Sequence, residues 1–143
     1  MYPDRFDYHR ADSVADALSL LAEHPDAELI SGGHSLLPMM KSGLASPDVL
    51  VDVGGIDDLA GIEPNGDTTH VGANVTYADV DASDHLWDRA TPFAEAAHNV
   101  GDIQVRNRGT IGGNVAHADP AGDPPAAVLA SNATIHVAGP DGD

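Results

Sequence analysis

GDIQVRNRGTIGGNVAHADPAGDPP, Gly101 to Pro125, is the stretch whose reading decides the fold. It collects a glycine pair (Gly112, Gly113), two of the five arginines (Arg106, Arg108) and two aspartates (Asp119, Asp123), with few side chains able to pack a core. A segment of this make-up shapes backbone around something other than itself. Adjacent glycines let consecutive N–H groups turn inward as an anion-binding nest. Thr110 and Asn114 flank the pair and can donate to phosphate oxygens. The arginines bring positive charge that a chain of net charge -17 otherwise lacks. The pattern predicts a loop around a phosphate-bearing cofactor; the plainer alternative is a tight turn with two solvated arginines.

The chain does this twice. Glu28-Leu29-Ile30 reads as a short strand running into Ser31-Gly32-Gly33-His34-Ser35, after which Leu36 begins an apolar segment. Two such loops suit a ligand with two linked phosphates. A third pair, Gly54-Gly55, lacks flanking hydroxyls and basic residues and reads as a turn between two subdomains.

SGGHSLLPMMK (Ser31 to Lys41) followed by GDIQVRNRGTIGGNVAHADPAGD (Gly101 to Asp123) resembles the FAD-binding medium subunit of molybdenum hydroxylases, the carbon monoxide and xanthine dehydrogenase family. The resemblance runs from Phe6-Asp7-Tyr8 to the region of Ile135. It implies an α+β FAD-binding domain of the PCMH type in two subdomains, residues 1–55 and 56–143, with FAD in the crevice between them. It also implies that Ser31, Gly32, Gly33, His34, Ser35 and Leu36, with Thr110, Ile111, Gly112, Gly113 and Asn114, meet the FAD pyrophosphate. Asp123 matches an aspartate on the ribityl and flavin side; being followed by Pro124, it also reads as a helix N-cap. The implied function is electron transfer: a molybdopterin large subunit oxidises substrate, an iron–sulfur small subunit relays electrons, and FAD here passes them to an acceptor. No side chain of this chain need act as acid, base or nucleophile. The alternative is a non-catalytic remnant that keeps the scaffold and partner surface but not tight flavin binding.

Composition narrows the field. A chain of 143 residues holds one domain, or two small subdomains sharing a core. No apolar run approaches the ~20 residues of a membrane span, and the N-terminal MYPDRFDYHR has no signal-peptide core, so a cytoplasmic protein is expected. The absence of cysteine excludes disulfides and any cysteine-ligated iron–sulfur cluster on this chain. Acidic residues outnumber basic ones 23 to 6 and are dispersed, and Lys41 is the only lysine, which resembles proteins of salt-loving organisms. Such a surface disfavours nucleic acid.

The remaining pattern supplies the elements. Ser13 and Asp16 predict a capped helix with Val14, Ala17, Leu18, Leu21 and Ala22 on one face, ended by Pro25. A short helix over Leu36 to Leu44 and a strand over Val49 to Val53 follow. Pro64-Asn65-Gly66-Asp67 predicts a hairpin turn leading into Thr68 to Ala73. Thr76, Thr91-Pro92 and Asp123-Pro124-Pro125 start further helices, and Ala133 to Val137 alternates as a strand. Gly139-Pro140-Asp141-Gly142-Asp143 is a turn signal with no return strand after it, which reads as a C-terminally incomplete domain.

Rival chemistries find less support. No G-x-G-x-x-G follows the first strand and no Gly-Lys-Ser/Thr is present. His117, Asp119 and Asp123 offer three potential metal ligands but no matched second group, so loop hydrogen bonding is expected instead. His34 beside Ser35 lacks the setting of a nucleophile and base and reads as a loop side chain near cofactor or partner. His70 and His136 are expected in strands.

Overall fold

The strand that organises the first part of the protein is β3 (Val49–Asp52), because it alone is paired on both sides. β1 (Asp7–Arg10) and β2 (Glu28–Ile30) lie parallel to it, in the order β1-β3-β2. The register sets His9 against Val51 on one side and Ile30 against Asp52 on the other. Two buried β-branched or leucine positions, Leu50 and Val51, give β3 the apolar character of a central parallel strand. This computed structural model describes residues 2–140 and 142.

Parallel strands need crossovers, and helices supply them. α1 (Val14–Glu23) begins at Ser13, whose hydroxyl accepts from the Asp16 N–H at 3.0 Å, while the Asp16 carboxylate accepts from the Asp12 N–H. It buries Ala17 against Ala11, Val51 and Ile56, with Val14 and Leu20 alongside. α2 (Leu36–Ser42) follows the first glycine loop and ends at Gly43, in the left-handed conformation that a helix stop favours. Because β2 stops at Ile30 opposite Asp52, the loops that follow β2 and β3 leave the sheet together at its carboxyl end, where open parallel sheets place ligands.

After a short 3₁₀ turn at Asp57–Leu59, β4 (Ile62–Asn65) and β5 (Thr68–Val71) form an antiparallel hairpin closed by Gly66-Asp67, with Gly66 at φ +60°. A helical layer completes the fold: α3 (Tyr77–Asp81), α4 (Asp84–Arg89), α5 (Thr91–His98), α6 (Ile103–Arg106), α7 (Ile111–His117) and α8 (Asp123–Ala130). Its core joins Val75, Tyr77, Val80, Leu86, Phe93, Ala94, Ala97 and Ile111. Full burial of a side chain such as Leu86 contributes ~1.5–3 kcal/mol.

Three sequence expectations change here. Ala133 to Val137 forms no strand: Ile135 and Val137 are exposed, and no neighbouring strand among the described residues offers the hydrogen bonds a strand requires. His136 therefore lies outside any strand, whereas His70 sits in β5. Gly139 and Gly142 exchange a pair of backbone hydrogen bonds at 3.1 and 3.2 Å, in keeping with the turn signal; Asp141 and Asp143 lie outside the described residues. β1, α4 and α6 add elements that the sequence patterning did not announce.

Candidate functional site: two glycine segments in contact

The first glycine segment emerges from β2 as a loop with unengaged amides. Among the described residues, the N–H groups of Gly32, Gly33, His34, Ser35 and Leu36 have no acceptor. Gly33 adopts φ +74°, which glycine alone takes without strain and which turns successive N–H groups to one side. Ser35 is the N-cap of α2 yet makes no side-chain cap bond, so its hydroxyl is also free of that duty. His34 and Ser35 are exposed. A row of donors of this kind, left open by the protein, is suited to the oxygens of an anion.

The second segment is built differently. Gly112 and Gly113 lie within the first turn of α7 rather than in a loop, and their amides are engaged by the protein itself. Ile111 N–H donates to the Val75 carbonyl at 2.9 Å, Gly112 N–H to Ala73 at 2.8 Å, and Gly113 N–H to the Thr110 hydroxyl at 3.3 Å. The second nest expected from sequence is therefore not formed. Gly112 serves close docking: a Cβ there would lie 2.6 Å from Ala73 Cβ and 2.9 Å from its carbonyl oxygen. Thr110 is buried because it caps α7 and bridges to Thr76 at the same time.

What α7 leaves open is a side chain. Asn114 Oδ1 is buried without a hydrogen-bond partner among the described residues, an acceptor whose isolation costs free energy until something donates to it. Its amide lies against Tyr77, whose phenol burial pushes above its usual pKa while Asn114 pulls it back. Of the two arginines in the segment, Arg106 is structural: it donates to the carbonyls of His98 and Val100, both at 3.0 Å, and so holds the end of α5. Arg108 stays exposed, and its side chain has no partner among the described residues.

The two segments touch. The hydrogen side of Gly32 faces the Arg108 carbonyl and Gly109 Cα so closely that a methyl group could not stand there. Ser31 donates to Asn74 Oδ1 at 2.7 Å, and Asn74 Nδ2 donates to the Val53 carbonyl at 2.7 Å, tying the sheet to the segment that docks α7. Ser31, Gly32 and Thr110 line one open groove together with Arg10, Asp52, Gly54, Gly55, Asn74 and Arg108. Asp123 is the first residue of α8, not its cap: Gly122 holds the cap position and no side chain caps it. Its carboxylate is exposed at the start of α8.

Open amides on the first segment, an unpaired buried acceptor on the second and glycine-mediated contact between them fit a ligand that carries both phosphate oxygens and donor groups. Residues 4–143 match the family model of the FAD binding domain in molybdopterin dehydrogenase. The chain belongs to that family. It is 46% identical over 143 residues to the carbon monoxide dehydrogenase medium chain of Hydrogenophaga pseudoflava, a match covering 99% of this chain and 50% of that one. The glyceraldehyde dehydrogenase medium chain of Sulfolobus acidocaldarius is 38% identical over 135 residues, covering 94% of this chain and 48% of the other. In structure, the chain superposes on carbon monoxide dehydrogenase from Oligotropha carboxidovorans with a TM-score of 0.95 at 43% identity, over 99% of this chain and 50% of that one. The chain spans about half the length of the curated relatives it matches.

For this FAD-binding family member, sequence reasoning missed Arg10, Asn74, Asn107 and the Gly54-Gly55 turn as neighbours of the first glycine loop. The parallel register of β1, β2 and β3 brings Arg10 and the Gly54-Gly55 turn there, the bonds of Asn74 to Ser31 and Val53 bring Asn74, and the packing of Arg108 and Gly109 on Gly32 brings Asn107.

Proposed function

We propose that the chain is the FAD-holding part of the electron-transfer subunit of a molybdenum hydroxylase complex. Bound FAD would supply the redox chemistry, taking electrons from iron–sulfur clusters of a small partner subunit and giving them to an acceptor, while a molybdopterin large subunit oxidises the substrate. This chain's part is to bind and orient. The amides of Gly32, Gly33, His34, Ser35 and Leu36 hold pyrophosphate oxygens; Asn114 Oδ1 accepts from the cofactor; Thr110, Ile111, Gly112 and Gly113 set the position of Asn114; and the Asp123 carboxylate, at the head of α8, meets the ribityl side. The observation that carries this reading is the row of open amides on the first loop.

Two further points belong to the same reading. Residues 1–55 and 56–143 act as two subdomains, supported by two separate apolar clusters: Ala11, Ala17 and Val51, onto which Ile56 packs from just past the boundary, and another drawn from Val75 to Ile111. The complex works in the cytoplasm, and the acidic surface suits a salt-rich one; among the described residues no helix is long and apolar enough to cross a membrane. The test is direct: purify the chain, add FAD, remove excess and record the flavin absorbance and fluorescence quenching. Stoichiometric flavin retained by the chain supports the proposal; colourless protein after reconstitution overturns it.

A further inference from the structure

The Gly54-Gly55 turn has a task that its plain sequence context conceals. A Cβ on Gly55 would fall within the guanidinium of Arg10, 3.0 Å from both Cζ and Nε, so this glycine leaves room for an arginine laid across the turn. Arg10 ends β1 and Asp52 ends β3, side by side in the register, and both line the groove that begins at Ser31 and Gly32. Arg108 and Asn107, from the second glycine segment, line it as well.

Most polar side chains of this groove are engaged within the protein. Asp52 accepts from the Tyr8 hydroxyl and, at 2.8 Å, from the Gly54 N–H. Ser31 and Asn74 bond each other, Thr76 bonds Asp79, and Thr110 accepts from Gly113. The exceptions among the described residues are Arg10, Asn107 and Arg108, and no carboxylate lies within 4.0 Å of either guanidinium. In a chain of net charge -17, two of five arginines line one groove without an ion pair among the described residues, beside a single carboxylate, Asp52, which is already bonded to Tyr8 and Gly54. Unpaired guanidinium forks that share a groove with hydroxyls and amides suit an oxyanion. The groove measures about 260 Å³, below the ~300–1,000 Å³ of a site that encloses a whole drug-sized ligand, so its occupant is a compact anion or one segment of a larger molecule.

We propose that Arg10 and Arg108 form a phosphate-class oxyanion site, with Gly55 present to seat Arg10. The same chemistry has two sources, free phosphate or diphosphate, and the diphosphate of a bound flavin nucleotide; only the second rests on the function proposed above.

The test is calorimetric titration of the full chain in low-salt buffer with inorganic phosphate, then inorganic diphosphate, then FAD. The inorganic ions bind the parent, and Arg10→Gln and Arg108→Gln each weaken that binding by about tenfold or more. Gly55→Ala keeps both charges and the fold yet weakens binding in the same direction, because its methyl group displaces the Arg10 guanidinium. Competition between FAD and the inorganic ion assigns the site to the nucleotide diphosphate; simultaneous binding assigns it to a free oxyanion. Normal FAD binding with no inorganic-ion binding, and no effect of either arginine on FAD, overturns this site and leaves the flavin reading intact. Inorganic-ion binding through both arginines without FAD binding does the reverse. Tight binding of a poly-aspartate peptide in place of the inorganic ions overturns it in favour of a protein partner.

Discussion

Gly32 lies face to face with the carbonyl of Arg108: a side chain on the first would occupy the place of the second. The obstacle is backbone, which cannot swing aside. Gly32→Ala therefore separates the two glycine segments, with a loss of ~1–3 kcal/mol in stability and of FAD retention. Gly101→Ala, at a position with nothing within 4 Å, leaves both unchanged. Thermal melts and flavin absorbance on the two variants check the contrast.

Thr110 is a buried hydroxyl with a position in the helix ladder, accepting from Gly113 N–H as the N-cap of α7. Thr110→Val keeps the shape and removes the acceptor, costing ~0.5–2 kcal/mol. Thr110→Ser restores it. Denaturant unfolding of the three proteins tests this, and an unchanged midpoint for Thr110→Val would refute the capping role.

Asn114 Oδ1 has no partner among the described residues. A cofactor donor that meets it converts a penalty into a bond, so FAD raises the melting temperature of the parent, by linkage of about 2.7 kcal/mol at a concentration 100 times Kd. Asn114→Ala loses much of that ligand-dependent gain while changing the ligand-free melt little. Melting curves with and without FAD separate the two effects.

Tyr8 and Tyr77 both ionise above the usual 10.0. For Tyr8 the hydrogen bond to Asp52 is the leading cause, with slight burial and the Asp52 charge in the same direction and Arg10 opposing. For Tyr77 burial leads and Asn114 opposes. A raised folded value favours the neutral phenol in the folded state. The stability these groups add is thus complete below pH ~10 and is lost as pH rises through the higher folded values. Ultraviolet titration of tyrosinate shows two late-ionising phenols, and Tyr8→Phe removes one of them.

Much of the architecture was legible because local rules and tertiary packing agree. Ser13, Thr76 and Pro92 mark helix starts where α1, α3 and α5 begin, and Asn65-Gly66 marks the hairpin. The site was half legible. Gly32-Gly33 keeps its amides open, as the pattern suggested, but Gly112-Gly113 does not, since the carbonyl of Ala73 and the hydroxyl of Thr110 reach them first. Sequence shows that a glycine pair is permissive; it does not show whether the space goes to a ligand or to another stretch of the same chain. Asp123 shows the same limit, because Gly122 holds the cap position that Asp123-Pro124 suggests for the aspartate. Arg10 and Gly55 were invisible as partners because 45 positions separate them and only the parallel register joins them.

β1 and β2 never pair with each other; each waits for β3. During synthesis, the first half of the sheet has nothing to hold it until Val49–Asp52 leaves the ribosome, and the segment after β2 acquires its shape only then. The groove beside Ser31 and Gly32 is completed later still, when Arg108 and Gly109 follow and pack against Gly32.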